Sequence, residues 1–420
     1  MNKNDRAWQQ LFEKYHILRR VQTEDFFIIS AKQINEFREA RLMTKFDHRA
    51  NLPRIFTEHN LSILPVTRGT YVIGQFDAYA NLSYTTNTEI TEIPFPAYLE
   101  SIDYANIYSE SAALNCAFVC GIIEDFMGER AVPTVSGRMG TGIFDFQLSF
   151  NQQKNKTLRV HNSQCEIDGG YESAEQLMLV EAKNFISDDF LIRQVYYPYR
   201  LWRDKLKKRV LPVFMTYSND TFSFFEFEFT DPLQYNSIRL LRQKNYAIAP
   251  ELITLKEIAD LAYNTPTLPE PEVPFPQADK FARVIDLLGW LMNEGELSKG
   301  DITENYNFDS RQTDYYNNAG RYLGLIERSG KGIFQLTERG RKIMQQKPKA
   351  KTLSLIKAMF EHAIFQRAFQ SYLIDNQLPT TDKIVALMQQ THIYKVNTDS
   401  TRRRRSATVL RWLEWMISRL

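Results

Sequence analysis

The stretch Gln164-Cys-Glu-Ile-Asp-Gly-Gly-Tyr-Glu-Ser-Ala-Glu-Gln-Leu-Met-Leu-Val-Glu-Ala-Lys183 decides how this chain is read. Residues 164–168 alternate in polarity, two glycines come next, and an apolar run from Leu177 to Val180 leads into Glu181-Ala182-Lys183. The pattern predicts two strands, 164–168 and 177–182, with a turn at Gly169-Gly170. Alternate residues of a strand share a face, so Glu166 and Asp168 project together from the first strand, and Glu181 and Lys183 from the second. If those faces coincide, two or three carboxylates and one ammonium converge on one spot.

Carboxylates a few Å apart raise each other's pKa, and a hard divalent cation relieves the repulsion. Mg²⁺ prefers oxygen ligands and is commonly held by one or two carboxylates together with substrate phosphate. It polarises a phosphate and activates a bound water, while a neighbouring lysine stabilises developing negative charge or orients that water. These residue types suit phosphodiester hydrolysis. A Glu-x-Lys triplet also occurs in strands by chance. The apolar strand leading into it, and Asp168 thirteen residues before Glu181, raise this one above chance.

The arrangement resembles the PD-(D/E)xK nuclease superfamily, in particular its type II restriction endonucleases. Asp168 matches the first acid, and Glu181 with Lys183 matches the second motif. Residues 180–205, VEAKNFISDDFLIRQVYYPYRLWRDK, resemble enzymes in which the motif strand feeds a helix beginning near an Arg-Gln pair. The resemblance spans Glu110 to Phe229. It implies a restriction-endonuclease-like α/β core, in which a mixed sheet is flanked by helices. It also implies Mg²⁺-dependent cleavage of double-stranded DNA, with Asp168 and Glu181 as metal ligands and Lys183 beside the water. The sequence departs from the pattern at Ile167, where proline commonly precedes the acid, and at Pro198, where a Gln-x-x-x-Tyr helix would carry tyrosine.

Around this centre stand further candidates. Glu166 is a possible additional ligand, as is Glu124 in a helix expected over 109–127, with Asp125 as the alternative on another side of that helix. Gln194 is placed to hold a metal-bound water or a phosphate. Tyr196, Tyr197 and Tyr199 suit the core or contacts to the DNA backbone. The run Ser136-Gly-Arg-Met-Gly-Thr-Gly142 lacks the Gly-Lys-Ser/Thr ending of a nucleotide-binding loop, so it reads as a flexible turn whose Arg138 touches DNA. Cys116, Cys120 and Cys165 are too few for a disulfide framework and too poorly spaced for zinc, and the six histidines form no cluster.

The flanks read as DNA-binding modules. A proline-rich stretch at 264–278 removes backbone donors and predicts an extended linker between an endonuclease domain, 93–263, and the C-terminal part of the chain. Residues 279–346 show three helices (281–292, 298–306 and 310–323) and then a basic hairpin around Ser329-Gly-Lys-Gly332, the order of a winged helix-turn-helix. Arg311, Gln312, Tyr315, Tyr316 and Asn318 lie on the helix expected to read bases, where Arg suits guanine and Gln or Asn suits adenine. Arg328 and Lys331 on the wing suit phosphate. Residues 347–420 form a helical basic domain whose last helix begins with Arg402, Arg403, Arg404 and Arg405. A DNA-facing helix start, a solvated basic end and a nuclear localisation signal are its three readings. Residues 1–92 suggest a weaker helical, winged-helix-like module.

The whole chain of 420 residues carries a net charge of only +2, which by itself neither signals nor excludes a nucleic acid. Divided at the proline-rich stretch, the balance separates: residues 279–420 hold 23 Lys and Arg against 15 Asp and Glu, and the preceding 278 hold 29 against 35. The expectation is a cytoplasmic protein without a membrane partner, a site-specific endonuclease acting as a homodimer, permanent or formed on DNA. The alternatives are a modification-dependent or repair endonuclease, or a DNA-binding regulator whose acidic cluster is structural.

Overall fold

The computed structural model describes residues 3–84, 89–150, 154–248, 251–305, 310–391 and 393–420. The expected end of a helix at Tyr306 lies outside these residues.

The N-terminal segment folds as helices Lys3–Lys14 and Ile17–Glu24 against a three-stranded antiparallel sheet in which Thr70–Gly74 lies between Phe26–Ser30 and Ser62–Thr67. Ser30 ends the first strand and caps the next helix through a reciprocal capping box with Gln33. Strand alternation divides this sheet between two cores. Ile63 and Ile73 face Trp8, Leu11 and Phe56. Leu64, Val66 and Val72 face the central unit. The expected first boundary at 92 is displaced toward the N-terminus. Phe76, Ala78 and Leu82 are buried with Phe144 and Phe190 in the central core, and strand Tyr79–Asn81 pairs with Asp189–Leu191.

The central unit is a seven-stranded mixed sheet. Its strands are β1 (Ile90–Ile93), β2 (Val132–Gly140), β3 (Gln164–Glu172), β4 (Gln176–Lys183), β5 (Arg209–Ser218), β6 (Thr221–Phe229) and β7 (Ile238–Ile248), in the order β1-β7-β6-β5-β4-β3-β2. Only the β4–β5 and β7–β1 pairs are parallel. Met178, Val180 and Ala182 of β4 face helices α1 (Glu110–Val119) and α2 (Ile122–Met127). Leu177 and Leu179 face the opposite side, toward Tyr199 and Trp202 of helix α3 (Arg193–Arg203). Both faces are covered, which is why β4 is an unbroken apolar run.

Three expected elements differ. The helix over 109–127 is broken at Gly121, whose φ of 81° ends α1 and starts α2. The pattern of Phe190 to Lys207 suggests one helix, but the helix starts only at Arg193, because Asp189–Leu191 is a strand. Gly169 and Gly170 are not a turn but lie inside β3. A Cβ on Gly170 would come within 2.8 Å of Val135, and one on Gly169 within 3.2 Å of Leu114, so the glycines let β2 and α1 approach closely. The chain reverses at Ser173–Glu175 instead, where the Ser173 hydroxyl accepts the Gln176 N–H.

Residues 253–416 share one hydrophobic core. It joins helix α4 (Leu255–Asn264), α5 (Phe281–Glu294), α6 (Lys299–Asn305), α7 (Ser310–Tyr322) and, after four more helices, α8 (Asp399–Ile417). A three-stranded sheet places Ile333–Leu336 between Glu296–Ser298 and Ile326–Gly330. The units expected at 279–346 and 347–420 therefore pack as one body, and α4 belongs to it. The proline-rich stretch is extended, as proline requires, but it is docked rather than a free spacer. Phe275 is 2% exposed and stacks on Phe365, the Leu268 N–H donates to Glu361 O, and Tyr322 Oη donates to Glu270.

Candidate active site

The antiparallel β3–β4 ladder ends at Gly169 and Val180, so Asp168 and Glu181 leave it side by side. Asp168 Oδ2 accepts the N–H of Ala182 at 2.8 Å, which fixes its carboxylate across the end of β4. Glu181 is 8% exposed. Its Oε1 accepts from Lys183 Nζ at 2.6 Å and from Gln194 Nε2 of α3 at 2.5 Å. Lys183 Nζ also donates to Ala182 O at 2.9 Å and stands 3.5 Å from Glu110 Oε1.

Burial dominates the electrostatics. It pushes Glu181 up to about 8; Lys183 opposes the rise, and the charges of Asp168 and Glu110 add to it. Burial also disfavours the Lys183 ammonium, but the carboxylates of Glu181, Glu110 and Asp168 outweigh it and hold the lysine well above its ordinary value. Glu110 is itself raised, first by burial and then by Asp168, against the pull of Lys183. Such a cluster either holds a proton or is balanced by a bound cation.

The donor set tests what that cation is. Among the described residues, no three His, Cys, Asp or Glu side chains form a complete metal cage. Asp168 and Glu181 nevertheless supply the one or two carboxylates with which Mg²⁺, keeping several waters, is commonly bound. In addition, Gln194 Oε1 is buried without a partner, an acceptor oxygen left open beside them. This all-oxygen set fits Mg²⁺ and does not suit soft metals.

The loop from Asn184 to Asp189, joining Lys183 to the helix of Gln194, is gripped from three sides. Asn184 Nδ2 donates to Tyr108 O at 2.6 Å, just before α1 and Glu110. The Asp286 carboxylate of α5 accepts the Ile186 N–H at 2.9 Å. From the N-terminal unit, Arg49 N donates to Asp189 Oδ2 at 3.1 Å. The cluster opens into a cleft of 1960 Å³ with walls from all three parts of the chain, including Arg38 and Arg68, Arg138 and Arg193, and Lys299 and Thr303.

The candidates from sequence divide accordingly. Asp168, Glu181, Lys183 and Gln194 meet. Glu166 lines the same cleft but is exposed and paired with Arg138, whose Nε lies 3.2 Å from both carboxylate oxygens, so the two sit together at the rim. Glu124 is a correction: it is exposed on α2 and is not among the residues lining the cleft. Asp125, its alternative, is bound to Lys244 and Tyr246. The helical acid beside the cluster is Glu110, at the opposite end of the expected helix. Its position directly after the Ser109 cap could have singled it out, although an acid there also reads as a complement to the helix dipole.

Among the described residues of the C-terminal body, α5 and α6 line the cleft and α7 does not. Tyr316 is corrected as a DNA contact, because it is 6% exposed within the core. Asn318 accepts from Arg321, whereas Arg311, Arg328 and Lys331 are exposed, and Gln312 and Tyr315 are half-buried. Arg402 and Arg403 pair with Asp399 and Asp382 at 2.7 Å. Arg404 is exposed, and Arg405 is half-buried, with its pKa lowered first by burial and then by Arg404. The four-arginine start of α8 is therefore partly neutralised. Among the described residues, no helix is long and apolar enough to cross a membrane.

Three family models match consecutive parts of the chain, and each is described only as a domain of unknown function: DUF6996 over residues 5–73, DUF6997 over 74–247 and DUF7226 over 283–420. The first junction falls in the strand Thr70–Gly74, whose two faces feed different cores. No curated protein and no solved structure matches the chain significantly.

Proposed function

We propose that this chain is a Mg²⁺-dependent, site-specific endonuclease acting on double-stranded DNA, a PD-(D/E)xK enzyme of the type II restriction kind working in the cytoplasm. The observation that carries the reading is the meeting of Asp168, Glu181 and Lys183 where β3 and β4 part, with Gln194 on the following helix. The mixed sheet with helices on both faces suits the restriction-endonuclease-like core, and the α5–α6–α7 order with its hairpin suits a winged helix-turn-helix.

Bound Mg²⁺ supplies a polarised phosphate and a water of lowered pKa. Asp168 and Glu181 would hold it, and the open Gln194 oxygen would accept a hydrogen bond from its water. Lys183 stays charged across the neutral range and stabilises the negative charge that develops on the phosphate. Asp168 is held in place by the Ala182 amide, so it needs little rearrangement to act. One such cluster among the described residues of a chain serves one strand, so a double-strand cut calls for two chains on the DNA.

The test is incubation of unmethylated and methylated plasmid with and without Mg²⁺. Discrete fragments from unmethylated plasmid only, and only with Mg²⁺, are expected. Fragments from methylated plasmid alone would replace restriction by modification-dependent cleavage. Binding without cutting of either plasmid would make the chain a regulator.

A further inference from the structure

Three basic side chains on the N-terminal wall of the cleft are answered locally by carboxylates: Arg41 by Glu39 at 3.4 Å, Lys45 by Asp47 at 3.9 Å and Arg54 by Glu58 at 2.6 Å. Arg38 and Arg68, on the same wall, form no ion pair among the described residues. Arg68 is exposed at the tip of the turn between strands Ser62–Thr67 and Thr70–Gly74, and the backbone fixes that tip, because Gly69 O accepts the Ala31 N–H at 2.7 Å. The turn reaches across to β2: a Cβ on Gly140 would lie 3.9 Å from Arg68 Nη2. Arg38 lies a few residues beyond the helix Ala31–Ile34 that this bond anchors.

The floor of the cleft is the opposite case, with Glu110, Asp168 and Glu181 gathered around one lysine. A polyanion reaching that floor is repelled unless cations on the walls offset the acids. Two guanidiniums without a carboxylate partner among the described residues, held on a separate unit and lining the same cleft as the cluster, meet that requirement. Guanidinium also matches phosphate geometrically, through paired N–H donors.

We propose that the N-terminal unit is a phosphate-binding wall, in which Arg38 and Arg68 hold the sugar-phosphate backbone of duplex DNA over the acid–lysine cluster. This rests on the nuclease reading above and assigns that site's grip on its substrate to a part of the chain other than α7. The wall touches phosphate, so it acts on any duplex sequence.

The experiment measures fluorescence anisotropy of a labelled duplex of arbitrary sequence in EDTA, where no cleavage occurs, as a function of salt. Arg38→Glu/Arg68→Glu should weaken binding at least about tenfold and lower the salt slope by about two, roughly one for each phosphate no longer neutralised. Arg19→Glu/Arg367→Glu changes the net charge equally at exposed arginines outside the cleft and should stay within about twofold of the parent. Arg38→Gln/Arg68→Gln repeats the test without charge reversal, and thermal melting confirms that each variant is folded. Equal binding by the cleft variants and the parent overturns the wall while leaving the nuclease reading intact, as does an equal loss in the control pair. Failure of the parent to bind any duplex removes both. Arginine-dependent binding without Mg²⁺-dependent cutting leaves the wall standing and removes the nuclease.

Discussion

The Asp286 carboxylate of α5 accepts the backbone N–H of Ile186, three residues beyond Lys183, at 2.9 Å. Its other oxygen accepts from Ser218 Oγ, at the end of β5, at 2.5 Å. One buried side chain of the C-terminal body thus ties together the loop after the candidate catalytic strand and the strand parallel to it. Lys280 and Arg283 reinforce the tie by pairing with Asp188 at 2.7 and 2.8 Å. The C-terminal body is therefore built into the support of the site.

That tie should be sensitive to pH. Burial pushes Asp286 up to about 7, against the opposing pull of the Ser218 hydroxyl, the Ile186 amide and Arg283. The folded protein keeps a proton there that the unfolded chain releases near pH 4, so this stabilisation is complete below about pH 4 and is lost as pH rises through about 7. Asp286→Asn keeps an acceptor for Ile186 and a donor for Ser218 without titrating, and should flatten the profile. Asp286→Ala removes both hydrogen bonds and should cost about 1–3 kcal/mol at about pH 5 and less at about pH 8, where the parent has already lost the proton. Urea unfolding at about pH 5 and about pH 8 in EDTA checks this; an unchanged profile in Asp286→Asn would show that the group does not hold the proton.

The Glu181–Lys183 pair separates chemistry from folding. Above about pH 8, where Glu181 is ionised, Lys183→Ala leaves it buried without its counter-ion and should destabilise the protein by about 3–5 kcal/mol, besides abolishing cleavage. Glu181→Gln/Lys183→Met removes both charges at similar volume and should recover most of that stability while cutting at least about a hundredfold more slowly. Parallel melting and plasmid-cleavage assays read the two effects. Cleavage by Lys183→Ala would withdraw the role given to that ammonium.

How far the site was visible in the sequence depends on what fixes each residue in place. Glu181 and Lys183 end an apolar strand, and Asp168 stands at the edge of the preceding one; alternation and spacing within twenty residues reveal all three. Glu110 comes from a helix that ends about sixty residues before Glu181, and no local period carries that information. Asp286 is harder still, because it sits among Val284, Leu287 and Leu288 on the buried side of α5, where an isolated acid resembles a surface residue. Gly169-Gly170 misled for a definite reason. Paired glycines mark turns when the chain needs positive φ, but here they mark close packing, and only the neighbours Val135 and Leu114 distinguish the two.

Mg²⁺ and protons should compete at Glu181. A carboxyl raised to about 8 is largely protonated at neutral pH, and it must lose that proton to bind a cation. Without metal, the stability Glu181 contributes is lost as pH rises from its unfolded value through about 8; Mg²⁺ then binds the ionised carboxylate and restores stability. The rise in melting temperature caused by Mg²⁺ should therefore grow between about pH 6.5 and about pH 8.5 and vanish in Glu181→Gln. A Mg²⁺ effect of equal size at both pH values, or one that survives Glu181→Gln, would place the ion elsewhere.

The proline-rich stretch offers a test of docking against spacing. A residue in a free linker can be truncated at almost no cost, whereas a buried aromatic truncated to alanine costs about 3–5 kcal/mol. Phe275 lies within the stretch, with its ring parallel to Phe365 and edge-on to Tyr322. Phe275→Ala should therefore destabilise the C-terminal body by that amount in denaturant unfolding, and should expose the segment to proteases that leave the parent uncut. The prolines themselves explain why docking is tolerated: an extended chain with few N–H donors has little backbone polarity to satisfy when it lies against apolar helices. Unfolding of Phe275→Ala at the parent's denaturant midpoint would return the stretch to the role of a spacer.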